Sequence, residues 1–134
     1  MSRPRRLRLV CAALGCAALL PACSAADGNR VGTTDAQTFQ PATITVAAGD
    51  TVVFSNDTSQ VHSVTAYQGD IPEGAEYFGS GGSASEKEAR EDVTDTLLEE
   101  GETFEVTLET PGTYKYFCVP HEQQGMTGAI VVEG

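Results

Sequence analysis

Tryptophan is absent from the 134 residues, and there are only two lysines, two histidines, two methionines and four cysteines. Eight basic residues stand against 19 acidic ones. Binding to a phosphate backbone needs clustered Lys and Arg, so a nucleic-acid partner is excluded. No apolar run reaches the roughly 20 residues that a membrane-spanning helix needs; the longest is Leu9 to Leu20. There is no internal repeat and no glycine-rich phosphate loop. With 14 Gly, 6 Pro and 40% hydrophobic residues, what remains is an ordinary globular composition at single-domain length.

The basic residues are unevenly placed. Arg3, Arg5, Arg6 and Arg8 precede the apolar run, which ends in Leu20-Pro21-Ala22-Cys23. A basic head, a short apolar core and a small residue before the cut describe an export signal over residues 1–22. The Leu-x-Ala-Cys ending resembles a lipobox, which implies cleavage before Cys23 and a lipid on its sulfur. Plain secretion with a nearby cut is the alternative. The Arg5-Arg6 pair leaves both twin-arginine and general secretory export open. Residues 23–36 are small and polar and read as a flexible tether. Residues 23–134 keep four basic and all 19 acidic residues, a net charge of −15. The acids are scattered from Asp27 to Glu133, which suits a surface adapted to high salt better than one acidic docking patch. At molar salt the Debye length is about 3 Å, so docking is expected to rest on apolar contact.

The folded domain is expected over residues 37–134. Thr43–Val46 and Thr51–Phe54 are β-branched runs around a Gly49-Asp50 turn. Val61–Ala66 is a further strand candidate. Phe104, Val106 and Leu108 alternate with polar residues, as in a half-buried strand. Thr113–Cys118 and Ala129–Val132 complete a set of short strands with Gly/Pro turns, which predicts an all-β sandwich. A loop and short-helix insertion breaks the pattern around residues 68–102. Gly79-Ser-Gly-Gly82 reads as flexible. Ser83–Asp92 reads as a solvated helix, with Ser83 or Ser85 as N-cap and Glu86–Arg90 and Lys87–Glu91 at i,i+4.

Chemistry concentrates in a few residues. Of the four cysteines, Cys11 and Cys16 leave with the signal and Cys23 is the lipid site, so Cys118 is the one thiol left. His121 follows it by three residues and Met126 by eight. His62 is the only other histidine, and Met126 the only methionine besides the initiator. A thiolate and two imidazoles in a plane, with a long axial thioether, form the blue-copper donor set. A thiol nucleophile with His121 as base lacks an orienting third group. A multicopper oxidase needs spare histidines, a binuclear centre a second cysteine, and zinc has no use for the thioether. A copper-delivery protein outside the cytoplasm, with no carrier role, stays as the alternative.

The stretch Tyr114-x-Tyr116-Phe-Cys118-x-Pro120-His121-x-x-x-Gly125-Met126-x-Gly128 resembles the copper motif of plastocyanins and halocyanins, the small cupredoxins. Phe39-x-Pro-Ala-Thr-Ile-Thr-Val-x-Ala-Gly-Asp-Thr-Val-Val-Phe is similar to a cupredoxin opening. The resemblance implies a Greek-key sandwich and a single copper held by His62, Cys118, His121 and Met126. It implies a monomeric one-electron carrier that shuttles between redox partner proteins of a membrane chain, and the lipobox-like ending implies that lipid on Cys23 holds it outside the membrane. Plastocyanins usually carry Tyr, as a second docking surface, where Phe117 stands here. The exposed edge of His121, ringed by apolar loop residues, is therefore the expected electron port. Pro120 and Gly125 are expected to hold the loop rigid. Backbone N–H groups are expected to donate to the Cys118 sulfur. Asn56 or Ser63 is expected to tie the His62 loop to the Cys118 strand.

Overall fold

The structure, a computed structural model, describes residues 28–134. The expected export signal over 1–22, the lipid site Cys23 and the first residues of the tether lie outside the described residues. Among the described residues, two four-stranded sheets make the fold. The first has the order β2 (Phe39–Gln40), β1 (Arg30–Thr33), β4 (Thr51–Ser55), β6 (Thr103–Thr107). The second has the order β3 (Thr43–Ala47), β8 (Thr127–Glu133), β7 (Gly112–Phe117), β5 (Thr65–Ala66). β1 runs parallel to β4 and β3 parallel to β8, and the other pairs are antiparallel. This is the sandwich expected from the strand pattern.

Alternation explains which residues meet between the sheets. In β3, Ile44 and Val46 are buried while Thr43 and Thr45 face solvent. β4 buries Val52 and Phe54, β7 buries Tyr114 and Tyr116, and β8 buries Ile130 and Val132. Aromatic edges join the two sheets: Tyr116 meets Phe54 at 5.1 Å and Phe39 at 4.8 Å, both T-shaped. Burying each such ring contributes about 1.5–3 kcal/mol, and the edge-to-face geometry adds about 0.5–1.5 kcal/mol per pair. This core carries the frame on which the loops of the site are hung.

The tether is shorter than its composition suggests. Arg30–Thr33 is a strand of the first sheet, paired with Val53, Phe54 and Ser55, and Val31 is fully buried. Four residues are too few to show a period of two, and the pairing comes from β4 far along the chain. The strand expected over Val61–Ala66 also shrinks, to Thr65–Ala66. The N–H groups of the preceding residues go elsewhere: His62 to the Leu98 carbonyl, Ser63 to the Cys118 sulfur and Val64 to the Ser80 hydroxyl. The insertion holds two short helices, α1 (Glu86–Glu91) and α2 (Val93–Thr96). Ser85 caps α1 by accepting the Glu88 N–H at 3.1 Å, and the Glu88 carboxylate accepts the Ala84 N–H. Glu86–Arg90 and Lys87–Glu91 pair as expected, at 2.8 and 3.6 Å. The helix is not merely solvated, however, because Ala89 is fully buried. No described helix is long and apolar enough to cross a membrane.

Candidate metal centre

Cys118 lies just past β7, where the sheet ladder ends. The 3-10 segment Val119–Gln124 carries His121, and Met126 leads into β8. Main-chain bonds close this loop on itself. The Cys118 N–H donates to the Met126 carbonyl at 3.0 Å, and the Met126 N–H donates to the His121 carbonyl at 3.2 Å. Gly125 turns the chain back with φ +83°, a left-handed conformation that costs a side-chain-bearing residue about 1–2 kcal/mol. Pro120 sits in the first turn of the segment, where its missing N–H leaves no bond unmade. His62 arrives from the link between β4 and β5, held by a two-way bridge to Leu98.

The donor atoms of His62, Cys118 and His121 all lie within 4.8 Å of one another. Cys118 Sγ is 3.8 Å from His62 Nδ1 and 3.4 Å from His121 Nδ1. Metal–sulfur and metal–nitrogen bonds of about 2.3 and 2.0 Å, set about 120° apart, separate the donors by about 3.7 Å. The spacing therefore fits one ion shared by the three. His62, Cys118 and Met126 are fully buried, and His121 is half-buried. Cys118 and Met126 belong to the same packed core. Thiolate and thioether are soft donors that suit copper, so the residues present fit a copper ion.

Burial pushes the Cys118 thiol up, against the N–H groups of Ser63 and His121 that favour the thiolate. Burial pushes the His62 imidazole below its ordinary value, His121 adds to this, and Asp35 opposes it. His62 is thus kept neutral, the form that ligates, while a bound cation deprotonates a coordinating thiol outright.

Ser63 makes the tie expected of Asn56 or Ser63. Its N–H donates to Cys118 Sγ at 3.3 Å, and its hydroxyl accepts the Val119 N–H at 2.8 Å. Asn56 does not reach the Cys118 strand. Instead its side-chain oxygen accepts from Thr33 Oγ1 and the Thr58 N–H, and its amide donates to the Gln60 and Leu98 carbonyls. Sequence reasoning missed Thr58, whose Oγ1 lies 3.0 Å from His62 Nε2. Its one proton goes to Asn56 Oδ1 or the Gln60 carbonyl, both pure acceptors, at 3.1 and 3.3 Å. Its lone pairs then receive the Gln60 N–H and His62 Nε2–H, which leaves Nδ1 as the free donor on the Cys118 side. A hydroxyl four residues before a candidate ligand is the signal that could have found it. Phe117 lies outside the cluster packed between the sheets, yet it is fully buried. Tyr67 stacks on it at 4.3 Å, and the Arg90 guanidinium lies 4.3 Å from its centroid.

A two-sheet sandwich holding one thiol, two imidazoles and a buried thioether defines the class of small mononuclear copper proteins, the cupredoxins. The chain belongs to the plastocyanin/azurin family of copper-binding proteins, whose model matches residues 26–133. It is 43% identical over 94 residues to a chloroplastic plastocyanin of Fritillaria agrestis, covering 70% of this chain and 51% of that protein. It is 37% identical over 94 residues to a plastocyanin of Lactuca sativa, covering 70% of this chain and 86% of that one. The chain thus spans about half the length of the chloroplastic relative and most of the other. Among solved structures it is similar to a pseudoazurin from Sinorhizobium, with TM-score 0.58, 34% identity, and coverage of 78% of this chain and 72% of that one.

Proposed function

We propose that the protein is a one-electron carrier rather than an enzyme, with His62, Cys118, His121 and Met126 as the ligands of one copper ion. The observation that carries this reading is the cluster of one sulfur and two imidazole nitrogens within 4.8 Å, locked by main-chain bonds and buried except at His121. Copper, when bound, supplies a one-electron couple between its two common oxidation states. The chain's own part is to hold the donors still, so that little reorganises when the charge changes. The Ser63 N–H at the Cys118 sulfur spreads the thiolate charge and tunes the potential. Burial keeps water from the sulfur.

His121 is the electron port on this reading. It is the partly exposed member of the set, and the exposed Pro120 and Gly125 flank it in the loop. The face beside Phe117 is occupied by Tyr67 and Arg90, which favours a single docking region. The partners are redox proteins of a membrane-associated chain, met by a monomer that lipid on Cys23 holds at the outer face of the membrane. The net charge of −15 in residues 23–134 favours docking by apolar contact at high salt.

The test is to add Cu(II) and record visible absorption. An intense blue colour is expected that Cys118→Ser and His62→Ala abolish. A colourless wild-type product would sink the copper-carrier reading. Voltammetry then separates carrier from delivery protein: a reversible wave is expected, whereas loss of metal on reduction would point to delivery.

A further inference from the structure

One arginine reaches the chain neighbours of two proposed ligands. Arg90 in α1 donates to both oxygens of Glu122, from Nη1 at 2.6 Å and from Nη2 at 3.0 Å. It also donates to Glu86 Oε1 from Nε and Nη2, at 3.0 and 2.8 Å. Its guanidinium lies 4.3 Å from the Phe117 centroid. Glu122 directly follows His121, and Phe117 directly precedes Cys118. From the other side Tyr67 stacks on Phe117 at an interplanar angle of 24°, and its hydroxyl donates to Glu122 Oε1 at 3.0 Å.

An isolated exposed ion pair contributes little. This one differs on three counts. It is bidentate, it joins two carboxylates through one planar fork, and its cation lies over a buried ring. A helix of six residues is also too short to persist alone, so α1 depends on such anchors, with Ala89 buried beneath it.

We propose that α1 braces the ligand loop, with Arg90 as the positioning residue that sets the Cys118–His121 separation through Phe117 and Glu122. The spectroscopic part of the test rests on the copper reading, and the metal-free part does not. Arg90→Met, Arg90→Lys and the same-helix control Lys87→Met are compared in the full chain. Amide hydrogen exchange of the metal-free protein should be about tenfold faster at Cys118, Gly125 and Met126 in Arg90→Met, as expected for loss of hydrogen bonds to charged groups. Val52 and Ile130 should be unchanged. Lysine keeps the charge but not the fork, so Arg90→Lys should recover only part of the protection, and Lys87→Met should match wild type. The Cu(II)-loaded Arg90→Met protein should show an altered hyperfine splitting in electron paramagnetic resonance. Unchanged loop exchange, an equal rise throughout both sheets, or a wild-type hyperfine pattern would each overturn the brace. If wild-type protein takes up no blue copper, the function fails while the metal-free exchange still decides the brace.

Discussion

At the residue scale, the hydroxyl of Thr58 decides which nitrogen His62 presents. Thr58 Oγ1 has spent its proton on an acceptor, so it can only receive from Nε2, 3.0 Å away. Thr58→Val removes that acceptor and leaves a buried N–H unpaired, at a cost of about 1–3 kcal/mol. With His62 as the proposed upstream ligand, copper affinity should fall about 10–100-fold, the usual effect of losing such a support. Thr58→Ser should keep most of it. Competition against a chelator of known affinity measures both, and wild-type affinity in Thr58→Val would show that the tautomer is set elsewhere. The donor set itself was legible because so few His, Cys and Met were available to compose it. Thr58 was not, and Asn56 was expected at the Cys118 strand but bonds Thr33, Thr58, Gln60 and Leu98 instead, because a hydroxyl or amide becomes a support only through the path of the loop that surrounds it.

At the scale of elements, the segment that reads as a flexible glycine stretch is a pinned turn. Ser80–Gly82 forms a tight kinked turn, closed by the Gly82 N–H donating to the Gly79 carbonyl at 3.2 Å. The Ser80 hydroxyl donates to the Thr96 carbonyl at 2.5 Å and accepts the Val64 N–H at 2.9 Å. It thereby joins the end of α2 to the segment that carries His62. Gly81 has φ +74°, and a Cβ there would run into the Asp95 carbonyl. Gly81→Ala should therefore cost about 2–4 kcal/mol, combining left-handed strain with a backbone clash. Urea denaturation reads this directly, and a change within about 0.5 kcal/mol would mean that the turn yields freely. Composition cannot separate such a turn from a loose loop, because glycine marks both. The strands of the core were easier to find, since Ile44, Val46, Val52 and Phe54 repeat with the period of the sheet. Arg30–Thr33 and Phe39–Gln40 were missed because each is too short to show that period.

At the scale of the whole molecule, all four tyrosines are affected in one direction. Burial is the leading cause for each: Tyr67 and Tyr77 are pushed up to about 12, and Tyr114 and Tyr116 are also raised. Two of them, Tyr114 and Tyr116, belong to the core between the sheets. The Tyr116 hydroxyl is buried without a partner, so nothing there would welcome a phenolate. In the unfolded chain all four ionise near pH 10. The folded form holds its protons longer, so this contribution to stability is complete below pH 10 and is lost as the pH rises from about 10 to 12. The excess of acids over bases already disfavours compactness through self-repulsion, and each phenolate adds to it. Absorbance at 295 nm should therefore stay flat to about pH 10 and then rise in a steep step that coincides with loss of the far-ultraviolet circular dichroism of the sheets. The urea midpoint should fall across the same interval. Gradual ionisation centred near pH 10, with the dichroism intact, would show that the rings are open to solvent and that the sandwich is looser than its packing implies.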